Sequence, residues 1–245
     1  MENLQTGIQE RARSLEIIQL ARSYYDEFVA GLTTEGRQAQ GAFVPYAAWS
    51  AKDVFGHITF WNIVTAIRLE AVAASMPVPA FENDQILNDR EYQWRHDWTW
   101  EQIWVETLDT LERLRACVTV MRDDLVARVY DERTVSAHVF GNIIGHASLH
   151  FADYWLGQGN LRQAEVVHER TIALSGQARG EQARLTAVYN LACFYARTNQ
   201  KDRALALLPN VFAGLPSLQA WAKQDADLAS LHTDPAFLAL YPPLP

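Results

Sequence analysis

The sequence predicts an all-α fold, on three observations. Apolar residues recur at spacings of three, four and seven along much of the chain, as one helix face requires. Period-two runs rich in Val, Ile and Thr are absent. Two helix starts are spelled out, at Ser50 with Asp53 and at Thr99 with Gln102, each pair spaced as in a capping box.

The first helix is predicted over residues 3–32, where Ile8, Leu15, Ile18, Tyr25, Val29 and Leu32 fall on one face. A loop over 33–46 follows, punctuated by Gly36, Gly41 and Pro45. The second helix starts at the Ser50 cap and stops at Pro77 and Pro79. Its stripe is His57, Ile58, Trp61, Val64 and Arg68, which turns His57 inward. Residues 78–97 show no clear period and are predicted as a long loop, with Arg90 and Arg95 as solvated charges. The third helix runs from the Thr99 cap to about Arg122, and Trp94, Trp98, Trp100 and Trp104 are expected to pack on it, or else to wall the metal site for an apolar ligand. The fourth spans Ser136 to Gly157 or Gly159. Its inner stripe is polar: His138, Asn142, His146, His150 and Asp153. Burying such a line is costly unless partners or a metal satisfy it. Beyond residue 160 the predicted helices are shorter, over 160–174, 183–197 and 202–212.

The chain has 245 residues, enough for one large or two small cores, and 49% of them are hydrophobic. Its formal net charge of −8, with no basic run, excludes a nucleic-acid binder held by phosphate contacts. No apolar stretch is long enough for a membrane span, and the N-terminus lacks the apolar core of a signal peptide. A cytoplasmic protein is expected, with Cys117 and Cys193 as reduced, buried thiols.

The chemistry is expected at His57, His146 and His150. The last two lie four apart, so on a helix they share a face with a rise of about 6 Å. A third imidazole from a facing helix makes a three-nitrogen site with coordination positions left open. Neutral imidazoles without a carboxylate favour zinc or nickel. Asn142 and Asp153 are candidate partners for the imidazole N–H groups, or else bonds between helices. Trp61, one turn beyond His57, is a candidate pocket wall. No Gly-x-Ser-x-Gly elbow and no phosphate-binding glycine loop occurs.

Two stretches carry a resemblance: Trp49-Ser50-Ala51-Lys52-Asp53-Val54-Phe55-Gly56-His57, and Asn142-Ile143-Ile144-Gly145-His146-Ala147-Ser148-Leu149-His150. Residues 1–158 resemble the DinB-like superfamily of four-helix bundles, and Lys52-Asp53-Val54 with Asn142 looks closest to its ClbS/DfsB-like branch. Ala147 departs from that branch, which usually carries an aromatic there. The resemblance implies a metal at His57, His146 and His150, a homodimer, and chemistry on small electrophiles, in some members with a low-molecular-weight thiol.

Residues 159–245 resemble tetratricopeptide hairpins. From Leu185, the residues Val188, Leu191, Ala192, Tyr195, Ala204, Leu208, Val211 and Pro216 fall on the 34-residue pattern, and Trp155, Gly159 and Ala164 echo it weakly. Too few repeats are present to bury their faces unaided, so this half must pack on the first or be sealed by the tail from Leu218 to Tyr241. Two functions follow. One is a metal-dependent hydrolase or thiol transferase acting on a small-molecule substrate. The alternative is a non-catalytic module that grips a protein partner through the repeat-like half, with a structural or vestigial metal. Neither reading identifies catalytic or cofactor-binding residues.

Overall fold

The computed structural model describes residues 2–38, 49–81, 84–130 and 133–241. Their regular secondary structure is helical apart from one hairpin of two-residue strands, β1 (Val129–Tyr130) against β2 (Arg133–Thr134). No helix among them is long and apolar enough to cross a membrane. Two compact units are present, Met1–Ala164 with Gln177–Arg179, and Glu165–Gly176 with Gly180–Pro245.

Four long helical segments build the first unit: α1 (Glu2–Ala30), α3 (Ala51–Ala73), α5 (Trp100–Val120) and the run from α7 (Val135–Phe140) to α8 (Ala147–Gly157). Short helices α2 (Thr34–Gln38), α4 (Asp84–Arg95) and α6 (Asp123–Val126) join them. The buried face of α1 is Ser14, Ile17, Ile18, Ala21, Tyr24, Tyr25 and Phe28, whereas Ile8 is 48% exposed and lies outside the core. Phe28 stacks on Phe151 at 3.9 Å between centroids, and Phe55 meets Tyr25 and Phe151 at 5.8 and 5.7 Å. Trp100 and Trp104 pack on the same Phe55 ring, as core aromatics do.

Both capping boxes form. The Ser50 hydroxyl accepts the Asp53 N–H while the Asp53 carboxylate accepts the Ser50 N–H, and Thr99 and Gln102 repeat the exchange. Each satisfies two donors that a helix start leaves orphaned.

Three expectations need correction. The predicted 33–46 loop contains α2, and its remainder from residue 39 lies outside the described residues. The predicted 78–97 loop contains the twelve-residue helix α4. The buried face of α4 is Asn88, Glu91 and Arg95, so it is held by polar groups that a search for apolar period cannot see. Arg95 is accordingly no solvated charge. It is 3% exposed, forks onto Glu106 at 2.8 and 3.0 Å and reaches Glu91 at 3.4 Å. Trp94 and Trp98 cover its guanidinium at 4.4 and 5.5 Å. Third, the fourth helix is not one α-helix, because a π-helical segment, Gly141–His146, joins α7 to α8.

The second unit carries α9 (Leu161–Ser175) from Glu165 onward, α10 (Gln182–Arg197), α11 (Lys201–Gly214), α12 (Pro216–Ala222), a 3₁₀ turn (Ala226–Leu231) and α13 (Pro235–Leu238). Helices α10 and α11 pack as a hairpin whose small residues Ala192 and Ala204 are fully buried. The approach is close enough that a Cβ on Gly214 would clash with Leu185 Cδ1. The tail seals this hairpin. Asp225 accepts the Tyr189 hydroxyl at 2.6 Å and the Trp221 indole N–H at 3.1 Å, and Ser230 donates to the Ala196 carbonyl at 3.0 Å. Cys117 and Cys193 are both free and buried.

Candidate metal centre

Three imidazoles from two segments meet in the first unit. α3 supplies His57, the end of the π segment supplies His146, and α8 supplies His150. His57 and His150 are 3% and 6% exposed, and His146 is half-buried. The His57 and His146 Nε2 atoms lie 3.2 Å apart, and those of His146 and His150 lie 3.1 Å apart. One potential ligand atom from each residue lies within 4.8 Å of the others.

Hydrogen bonding alone does not satisfy this arrangement. A neutral imidazole Nε2 either carries one proton or offers one lone pair. His146 Nε2 therefore bonds one neighbour and faces the other with nothing to share. Burial excludes the remedy of protonation. It lowers the pKa of His57 to about 3, with His146 adding to the effect, and that of His146 to about 4. His150 is lowered as well, by burial and by both neighbours. At neutral pH the group is three uncharged rings with converging Nε2 atoms, and neutral imidazole is the form in which histidine binds metal. A tetrahedral ion bound at about 2.0–2.1 Å holds its nitrogens roughly 3.3–3.4 Å apart, close to the spacing of His146 from each of the other two. The group can hold a metal ion. Among the described residues no fourth His, Cys, Asp or Glu joins it.

Aromatic rings flank His57. Trp49 lies 5.3 Å from it and stacks in parallel on Tyr92 of α4 at 5.5 Å. Trp61 lies edge-on at 6.5 Å, and its indole N–H donates to Asn88 of α4 at 3.0 Å. Helix α4 thus runs beside the His57 face of α3. It comes so close that a Cβ on Gly56 would sit 3.2 Å from Glu91 Oε1 and 3.3 Å from Arg95 Cδ. Lys52 fastens the end of α4, donating to the His96 carbonyl at 2.5 Å. Burial raises the Glu91 carboxyl to about 7, against the pull of Arg95.

Two other residues of the polar stripe have bonds of their own. Asn142 donates its amide to the His138 carbonyl at 3.3 Å, a bond within its own helix. His138 Nε2 pairs with the Tyr130 carbonyl at 2.6 Å. Both line a small cavity with Thr65, Arg68, Leu69 and Val72. Asp153 is half-buried on α8. The π segment is the physical reason: its wide turn interrupts the α-helical stripe between Asn142 and His146. Sequence reasoning missed Asn88 and Tyr92, which sit in the segment read as loop, and also Tyr25 and Asn62, discussed below. Asn62 carried a signal, as an amide flanked by Phe60, Trp61, Ile63 and Val64.

No protein-family model matches the chain, and no curated protein or solved structure is significantly similar to it.

Proposed function

We propose that this chain is a metal-dependent enzyme of the DinB-like superfamily, near its ClbS/DfsB-like branch. In this reading His57, His146 and His150 hold zinc or nickel, and the substrate is a small electrophile attacked by water or a low-molecular-weight thiol. The observation that carries it is the convergence of three buried imidazoles, with His146 Nε2 at 3.2 Å from His57 Nε2 and 3.1 Å from His150 Nε2. When bound, the ion supplies Lewis acidity that lowers the pKa of a water or thiol beside it. The chain supplies the rest. Burial keeps the three rings neutral. Trp49 and Trp61 give an apolar wall beside His57, and α4 fixes both through Tyr92 and Asn88. Three ligands rather than four among the described residues support an open, catalytic position over a closed, structural one. A homodimer in the cytoplasm is part of the same proposal.

Protein purified without chelator is expected to carry about one divalent transition ion per chain, lost in His57→Ala and in His146→Ala. After cobalt substitution, millimolar thiol or imidazole should change the visible spectrum. Elemental analysis that finds no metal in the unaltered chain, or metal retained equally in the two variants, removes the assignment. A cobalt spectrum indifferent to added ligands points to a closed structural ion instead.

A second reading gives residues 159–245 a tetratricopeptide-like docking role for a protein partner. It is favoured by the burial of Leu185, Val188, Leu191, Ala192, Tyr195, Ala204, Leu208 and Val211, every non-proline position of the repeat pattern from Leu185. A fourth protein ligand on the bound metal would favour this reading over the enzyme.

A further inference from the structure

The π segment carries His146, and its backbone is tied to the helix that carries His57. In an α-helix the Ile143 carbonyl would accept the Ala147 N–H, but that N–H bonds the Ile144 carbonyl instead. The Tyr25 hydroxyl, fully buried, donates to the Ile143 carbonyl at 2.6 Å. The hydroxyl oxygen in turn accepts the Asn62 amide from α3 at 3.1 Å. Tyr25 of α1 thereby joins the turn three residues before His146 to the helix of His57. Ser148 supports the same turn, donating to the Gly145 carbonyl at 2.7 Å.

Asn62 is an expensive residue for this place. It is 0% exposed, and its Oδ1 is buried with no hydrogen-bond partner among the described residues. A buried unsatisfied oxygen destabilises a fold, and an apolar side chain of similar size would not incur that cost. Packing therefore does not account for an amide here, whereas its one bond, to Tyr25, does. Burial also keeps the Tyr25 hydroxyl protonated by raising its pKa, so it remains a donor at any pH the fold tolerates.

We infer that Tyr25 and Asn62 are positioning residues for the three-histidine centre: their relay holds the π turn so that His146 Nε2 meets both His57 and His150. The inference rests on the metal-binding reading above and goes beyond it, since neither residue touches the imidazoles. It accounts for three observations together: the wide turn, the redirected Ala147 N–H and the amide left half-satisfied in the core.

The test is cobalt binding by the full chain, read as affinity and visible spectrum. Four proteins are compared: the unaltered chain, Tyr25→Phe, Asn62→Leu and Thr59→Val. Thr59 is the control, because it shares a buried hydroxyl bond with Thr107 at 2.6 Å, joining α3 to α5 without reaching the π turn. Tyr25→Phe is expected to weaken cobalt binding, by up to roughly the 10- to 100-fold that losing a direct partner of a ligating histidine costs, and to alter the spectrum. Asn62→Leu should weaken binding in the same direction while leaving the thermal midpoint unchanged or higher. That combination would not arise from a merely structural role. Thr59→Val should lower the midpoint and leave affinity and spectrum unchanged. If Tyr25→Phe does not fold, Asn62→Leu decides by the same criteria. Affinity and spectrum equal to the unaltered chain in the folded variants overturn the inference while the metal reading stands. A change in Thr59→Val as large as theirs overturns it too. Failure of the unaltered chain to bind cobalt removes the metal reading and the inference with it.

Discussion

At the scale of single residues, the histidines of this chain divide by burial. His168 on α9 is 5% exposed against the Phe194 ring, and its pKa falls to about 4, chiefly by burial and secondarily through the charge of Arg197. A histidine whose folded pKa is depressed binds its proton more readily when unfolded, so stability falls as pH drops below the unfolded value near 6.5 and levels off near 4. Between pH 7.5 and 5 that amounts to about 2 kcal/mol for His168. Urea unfolding of His168→Gln at the two pH values is expected to show a pH dependence smaller by about that amount, whatever its absolute stability. An unchanged pH dependence would mean that solvent reaches the ring. The metal-free centre adds its own acid sensitivity in the same direction, because His57, His146 and His150 are depressed in the same way.

At the scale of elements, α4 has the most to say, because polar bonds rather than apolar contacts hold it. Its anchor is Arg95, 3% exposed between Glu91 and Glu106. Arg95→Ala strands the Glu106 carboxylate and is expected to cost about 3–5 kcal/mol, as breaking a buried pair does. Arg113 makes a bond of the same shape with Glu70 at 2.6 and 2.7 Å, but both side chains are about two-fifths exposed. Arg113→Ala should cost under about 1 kcal/mol. Thermal unfolding of the two variants side by side measures the difference, and equal losses would mean that α4 is not locked by Arg95. Because α4 holds Tyr92 and Asn88 against Trp49 and Trp61, Arg95→Ala is also expected to loosen the aromatic wall beside His57.

At the scale of the whole molecule, the second unit depends on its tail. The α10–α11 hairpin has too few repeats to bury both faces, and the tail contributes Leu228, Leu231 and Phe237, each at most 2% exposed. Burying three such side chains is worth roughly 5–9 kcal/mol, comparable to the entire stability of a small domain. Truncation after Ala222 is therefore expected to abolish the cooperative unfolding of this unit, followed by circular dichroism. Asp225→Ala, which removes the acceptor of Tyr189 and Trp221 but keeps the apolar cap, should only weaken it. Were the truncated chain to keep a sharp transition for this unit, the seal would have to lie elsewhere.

How much of this was legible beforehand depends on the range of the interaction. Helix starts at Ser50 and Thr99 were readable because a capping box is complete within four residues. The all-α class and the repeat-like spacing from Leu185 were readable because helical period is itself local. His57, His146 and His150 were readable as a group because two share a helix and the third opens a capped one, and the structure brings their Nε2 atoms together. Only the tertiary structure decided the rest. Helix α4 exists because Glu106, Asn88 and Arg95 find partners across elements, and no periodicity within its twelve residues records that. The π turn exists where Tyr25, 118 residues away, supplies a hydroxyl to the Ile143 carbonyl. A sequence by itself determines what neighbouring residues do to one another. Which distant donor meets a given carbonyl depends on packing, and in this protein that meeting places His146.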